Sequence, residues 1–261
     1  MVTLDSTQYA AAPAAAPAAP RAAASSPAPS SSSAAAAVSP TTIDLAGQDV
    51  RVVNAAVQAA EDVTRWSIQH PAGKHNVAVG ISSAIDVTID GHVGYYAAGM
   101  HQRGAVTING NAGVGLAENI MSGRVHVTGD ASQSAAATGH GGLVVIDGNA
   151  GARCGISMKG VDIVVGGSIG HMSAFMAQAG RLVVCGDAGE ALGDSIYETR
   201  IYVQGTVESL GADCIEKPMR EEHLAELAEL LVAAGRDDDP AAFKRYGSAR
   251  KLYHFNVDNA Y

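Results

Sequence analysis

Positive charge is in short supply in this chain. Lys and Arg number 17 against 26 Asp and Glu, leaving a net charge of −9. That removes the basic footprint of a nucleic-acid-binding protein. Cysteine is equally sparse: Cys154, Cys185 and Cys214 are odd in number, widely spaced and form no CxxC pair. They read as free thiols in a reducing cytoplasm. The nine histidines include no HxH or HExxH pair, so metal-ligand spacing is missing. His92, His101, His126, His140 and His171 read as isolated surface or corner residues. No apolar run resembles a membrane span. The N-terminus has neither a basic n-region nor a leucine-rich h-region, which argues against a secretory or transit signal. Ser195 stands in Gly193-Asp194-Ser195, not in a G-x-S-x-G elbow. No carboxylate pair for acid–base work can be picked out.

What is present is a repeat. Gly91, Gly110, Gly129, Gly148, Gly167, Gly186 and Gly205 stand nineteen residues apart, with no insertion or deletion. Four residues before each glycine comes Val87, Val106, Val125, Val144, Ile163, Leu182 or Ile201. Two before it comes Ile89, Ile108, Val127, Ile146, Val165, Val184 or Val203. Alternation with period two and β-branched side chains describes a half-buried strand. Each copy holds three or four glycines, which a helical repeat would not tolerate at about 1 kcal/mol apiece. The pattern predicts an all-β solenoid of about seven coils, each burying its apolar face only against its neighbours. At the inter-strand spacing of about 4.8 Å the stack is roughly 30 Å long. Its two aliphatic ladders, at about 1.5–3 kcal/mol per buried side chain, are the expected source of stability.

The residue after each glycine is polar: His92, Asn111, Asp130, Asn149, Ser168, Asp187 or Thr206. Such residues are expected to bond their own backbone at a corner. Further glycines follow at Gly94, Gly113, Gly151, Gly170 and Gly189, and at Gly104, Gly123, Gly142 and Gly180, slipping to Gly160 in one copy. They read as turning points where glycine takes positive φ. Gly110-Asn111-Ala112-Gly113-Val114-Gly115 superficially resembles a dinucleotide loop, but that loop must open a helix, and the repeat already explains its glycines.

The flanks differ from the repeat. Residues 1–40 are nearly all Ala, Pro and Ser and read as disordered. Residues 41–86 read as a cap: Asp49 starts a helix with Val50, Val53, Val57 and Ala60 on one face, followed by strands at Val63–Ile68 and Asn76–Val79. The repeat occupies 87–207. In 208–261, Pro218 opens a helix with Leu224, Leu227 and Leu231 on one stripe and Gly235 at its end. Asp239-Pro240 starts a second helix running to about Tyr246. The tail gathers aromatic and basic residues in an acidic, aromatic-poor chain. Arg245, Tyr246, Arg250, Lys251, Tyr253 and Phe255 are therefore candidate partner-docking residues, with packing on the last coil as the alternative.

Segments such as Gly110–Gly115, Met121–Gly129, Arg153-Cys154-Gly155-Ile156-Ser157-Met158-Lys159-Gly160 and Gly170–Gly180 resemble the GXGXG domain of glutamate synthase large subunits. The likeness extends over 41–261 and is closest to stand-alone GXGXG subunits of split glutamate-synthase-like enzymes, in particular those of the N-methylglutamate synthase type. It implies a right-handed parallel β-helix with short flanking helices, in a cytoplasmic hetero-oligomer. It also implies a class II glutamine amidotransferase-like subunit and an FMN-binding subunit with iron–sulfur clusters as partners. No catalytic residue, cofactor or metal is carried over onto this chain. The expected reaction of the complex joins methylamine to glutamate. A split glutamate synthase using glutamine-derived ammonia, and a scaffold unrelated to amination, remain alternatives.

Overall fold

The computed structural model describes residues 39–62 and 64–250. Its elements begin with β1 (Thr41–Asp44), α1 (Val50–Gln58) and β2 (Arg65–Gln69). Then come β3 (Asp86–Asp90), β4 (Ala105–Asn109), β5 (Arg124–Val127) and β6 (Leu143–Ile146). β7 (Lys159–Val165), β8 (Ala179–Val184) and β9 (Arg200–Val203) continue the series. The chain closes with β10 (Cys214–Lys217), α2 (Glu221–Ala234), a 3-10 turn at Pro240–Ala242 and β11 (Lys244–Ser248). β1 through β9 form one parallel sheet in chain order, and β11 and β10 add to its last edge antiparallel.

The fold is a parallel β-solenoid in the register that the repeat predicts. Val87, Val106, Val125, Val144, Ile163, Leu182 and Ile201 are successive partners across β3 to β9. The fourteen aliphatic residues of the two ladders are all buried, at no more than 1% exposure. A second wall joins Val93, Ala112, Ala131, Ala150, Ile169, Ala188 and Val207 by single parallel bridges. The one irregularity, between Lys159 and Asp162 of β7, falls where the glycine slips to Gly160.

The corners work differently from the sequence expectation. From His92 to Asp187, the polar residue after the glycine does not bond its own backbone; it accepts the backbone N–H of its counterpart one coil on. Asn111 N–H donates to His92 Nδ1 at 2.9 Å, Asp130 to Asn111 Oδ1 at 3.0 Å and Asn149 to Asp130 Oδ1 at 2.7 Å. Ser168 donates to Asn149 Oδ1 at 2.8 Å, Asp187 to Ser168 Oγ at 3.0 Å and Thr206 to Asp187 Oδ1 at 2.7 Å. Nor do the repeat glycines need positive φ, Gly91 excepted. They are needed for close approach: a Cβ on Gly129, Gly148, Gly167 or Gly205 would collide with the ladder side chain of the coil before. On Gly110 it would stand 2.8 Å from the Gly91 carbonyl carbon. Positive φ belongs instead to Gly104, Gly123, Gly142, Gly160 and Gly180, as expected, but not to Gly94, Gly113, Gly151, Gly170 or Gly189, where the sequence predicts it too.

Left-handed backbone also appears where no glycine announces it. Tyr96, Ala98 and Met100 in one coil, and Met172, Ala174 and Met176 in another, alternate through φ values of 52° to 58°. Each non-glycine residue there costs about 1–2 kcal/mol. Bonds to both neighbouring coils offset this: Tyr96 N–H donates to Val114 O, Ala98 to Val77 O and Met100 to Glu118 O, all within 2.9 Å. This turning is imposed by the stack rather than by local residue type.

Both ends are closed. At the first, α1 starts at Asp49, whose side chain accepts from Arg51 N–H, and buries Val53 and Val57. Asn54 then bonds Asn76 O and Ala78 N–H, and Gln58 bonds Val79 O, satisfying first-coil backbone groups. Asn76–Val79 is accordingly a turn and not the expected strand; it is the first coil's version of the left-handed corner, with Asn76 and Ala78 at positive φ. The strand expected at Val63–Ile68 is β2, with Val63 outside the described residues. At the other end Tyr246 lies in β11, not in a helix, because the open edge of β9 is covered by pairing. The expectation for residues 1–40 lies outside the described residues, 39 and 40 excepted.

Val127→Ala, inside the solenoid, should cost about 1–3 kcal/mol in a denaturant titration through lost burial and an unfilled void. Thr107→Ala, half-exposed on the outer face of β4, should cost much less. Equal costs would mean that inside and outside are reversed.

Candidate functional site

The outer face of the sheet is not uniform along the stack. Three residues before each repeat glycine stand Thr88, Thr107 and His126, then Val145, Val164, Val183 and Tyr202. The last four are buried, and they form a second core with Leu227, Leu230, Leu231 and Ala234 of α2 and with Phe243. The helix thus covers the later coils and leaves the earlier ones open. It begins at Glu221 rather than Pro218, with Arg220 as N-cap; Arg220 N–H donates to His223 Nδ1 at 3.2 Å. Its buried stripe includes Leu230, while Leu224 is only half-buried. Gly235, at φ 79°, ends it as expected. The switch from Thr and His to Val and Tyr is a loss of polar alternation in copies four to seven. That signal lies at the outer strand positions, which the inward-facing glycine-and-aliphatic pattern leaves out.

Where the start of α2 and the β10–β11 pair stand over the leading ends of β7, β8 and β9, they leave a groove of about 980 Å³. Its lining holds Arg181, Arg200, Lys217, Arg220, Arg245 and Arg250 against Asp162, Glu198, Glu222 and Glu226. Arg181 Nε donates to Asp162 Oδ1 at 2.7 Å, and Arg200 pairs with Glu226. Glu226 also accepts from the Tyr202 hydroxyl at 2.8 Å; burial and that carboxylate push the phenol's pKa up. Among the described residues the Arg245 guanidinium bonds only the backbone carbonyl of Pro218, at 3.1 and 3.2 Å. Burial, joined by the charges of Arg200 and Arg220, lowers the pKa of its guanidinium. Thr199, 1% exposed in the groove wall, has a hydroxyl with no hydrogen-bond partner among the described residues.

Of the candidate docking residues, Arg245 and Arg250 therefore line this groove, Arg250 paired with Asp213. Tyr246 is 5% exposed and packs into the solenoid core, so its ring is taken up inside the chain. Lys251, Tyr253 and Phe255 lie outside the described residues. The seven repeat glycines sit at the ladder corner already described.

The remaining sequence candidates show no gathering of reactive groups. In the Gly110–Gly115 loop the N–H groups of Asn111, Ala112, Gly113 and Gly115 all donate to neighbouring coils. None of the four is left for a pyrophosphate, and no helix follows. Ser195 Oγ donates to Asp194 Oδ1 at 2.8 Å. His126 meets Asp147 at 2.9 Å on the open outer face. His101 departs from expectation: it is buried among the coils, with Nε2 3.2 Å from Gly104 O and Nδ1 unpartnered among the described residues. The three cysteines are free, and burial pushes the Cys154 thiol up to about 12 and those of Cys185 and Cys214 up to about 11. Among the described residues no cluster of three or more His, Cys, Asp or Glu could hold a metal, and no helix is long and apolar enough to cross a membrane.

A 19-residue repeat stacked into parallel coils, with a helix laid across the later ones, defines a parallel β-solenoid protein. The chain is 60% identical over 222 residues to Protein GlxC of Rhizobium meliloti (strain 1021), covering 84% of this chain and 97% of that protein. It belongs to the GlxC family. No protein-family model matches the chain, and no solved structure matches it.

Burial lowers the pKa of His101, and the carbonyl of Gly104 only partly opposes this. The unfolded histidine titrates near its ordinary value, about 6.5. Stability linked to this residue is therefore full above that pH and falls as pH drops through the lower folded value. His101→Leu should flatten the fall in denaturant midpoint between pH 7.5 and 5. Parallel curves for the two proteins would contradict it.

Proposed function

We propose that the chain is a non-catalytic structural subunit of a multi-subunit, glutamate-synthase-like enzyme of the cytoplasm. Its partners in this reading are a class II glutamine amidotransferase-like subunit and an FMN-binding subunit with iron–sulfur clusters, which it bridges. The reaction of the complex would be that of N-methylglutamate synthase: methylamine and glutamate giving N-methylglutamate and ammonia. The observation that carries the reading is the unbroken 19-residue stack, whose coil segments resemble those of a GXGXG domain. The surface supports it. Tyr95, Tyr96, Met100 and Met121 stand about half-exposed in adjacent coils. Large apolar side chains left exposed near one another in a fold are a feature of interaction surfaces.

Co-expression with the two partner subunits tests the reading. The complex should co-purify with flavin absorbance, while this chain alone should be colourless and inert toward glutamine and glutamate. The complex should turn over methylamine in preference to ammonia; preference for ammonia would assign it to a split glutamate synthase instead. A chain that never co-purifies with either partner would refute the bridging role. Because β11 is bonded into the sheet, a tail deletion has to spare it. Removing 251–261 should weaken co-purification and leave the melting temperature of the chain unchanged.

A further inference from the structure

The groove beside α2 carries a charge that the rest of the molecule does not. The chain has a net charge of −9, yet six cationic side chains line this groove against four carboxylates. Arg250 is neutralised by Asp213, which stands outside the lining, but the rest of the surplus is not. Among the described residues Arg245 has only a backbone carbonyl for its guanidinium. The Lys217 ammonium has no hydrogen bond or ion pair among the described residues. Arg220 reaches Glu222 at 3.5 Å, with both side chains about two-thirds exposed. A pair that open is worth little and is readily exchanged for another carboxylate. The unpartnered Thr199 hydroxyl is a second, independent sign: a buried donor without an acceptor costs about 1–3 kcal/mol, and an incoming oxygen would supply what it lacks.

We infer that the groove binds a carboxylate-bearing segment of another polypeptide, held by Lys217, Arg220 and Arg245 and by the hydroxyl of Thr199. Arginine forks suit carboxylates. The groove's 980 Å³ and open form fit a run of several residues rather than one small anion. Nucleic acid fits badly, because Asp162, Glu198, Glu222 and Glu226 interleave with the cations and would repel a continuous phosphate backbone. The choice of a polypeptide rests on the bridging role proposed above; the carboxylate chemistry rests on the groove alone.

The test uses the full chain by itself, with a fluorescein-labelled oligo-glutamate peptide followed by fluorescence anisotropy. Binding should appear at low salt and weaken as salt rises. Lys217→Gln/Arg245→Gln should weaken it about tenfold or more, and Thr199→Val by a smaller factor. Lys217→Gln/Arg220→Gln, which spares the buried part of Arg245, guards against a folding defect, with thermal melting read alongside. Arg51→Gln, on exposed α1, should change nothing. Unchanged binding in both double variants would overturn the inference. So would free glutamate or phosphate competing at the peptide's own concentration, or an oligonucleotide binding as tightly. Failure to co-purify with the partner subunits would refute the bridging role without altering this result.

Discussion

The whole molecule depends on one close approach, repeated at each coil. From His92 to Asp187 the side chain after the repeat glycine reaches to the backbone N–H of the next coil, and at Gly129, Gly148, Gly167, Gly186 and Gly205 it passes through the space that a Cβ would fill. Asp130 shows it: its carboxylate accepts from Asn149 N–H at 2.7 Å, and a Cβ on Gly148 would collide with the same oxygen. The backbone at Gly148 is not left-handed, so the glycine is there for space. A ladder of this kind requires each corner to stand directly over the last. It tolerates no inserted residue at that point, and the period accordingly holds from Gly91 to Gly205 without an indel.

From that stacking the other features follow. Aligned corners place Val125 over Val106 and Val127 over Ile108, so the interior is continuous aliphatic ladders. They also supply the neighbouring carbonyls that hold residues such as Tyr96 and Met172 in left-handed backbone. On the outside the strands offer a flat face, and the chain uses its later half itself: Val145, Val164, Val183 and Tyr202 receive Leu227 and Leu231 of α2. The start of that helix makes one wall of the basic groove. Thus scaffold and candidate site share one origin, since the groove exists only because a helix lies across regularly spaced strands.

How much of this is legible in the sequence depends on whether the signal is local or a product of stacking. The solenoid, its register and the inward residues are readable, because period-two alternation and a fixed glycine spacing are properties of the chain itself. The capping by α1 is readable from Asp49 and the Val53–Val57 stripe. Asn76–Val79 reads as a strand because it is apolar and short, whereas its neighbours in space make it a turn. Tyr246 reads as helical after Asp239-Pro240, but the unpaired edge of β9 draws it into a strand. The groove leaves no local mark: Arg181, Arg200, Lys217 and Arg245 are scattered in sequence and meet only once coils stack and α2 folds back. His101 reads as a surface residue, since nothing in its sequence neighbours shows that it points inward.

The most direct measurement is a double-mutant cycle between Asp130 and Gly148, read as unfolding free energy in denaturant. Gly148→Ala alone should cost about 1–3 kcal/mol from overpacking. In an Asp130→Ala background, where the obstructing oxygen is gone, the same change should cost less. Some cost should remain, because the carbonyl of Gly129 also lies 2.9 Å from the added carbon. A coupling of about 0.5 kcal/mol or more of that sign is expected for groups in contact. Strict additivity would show that the ladder side chain does not occupy the space the glycine vacates, and would contradict the account.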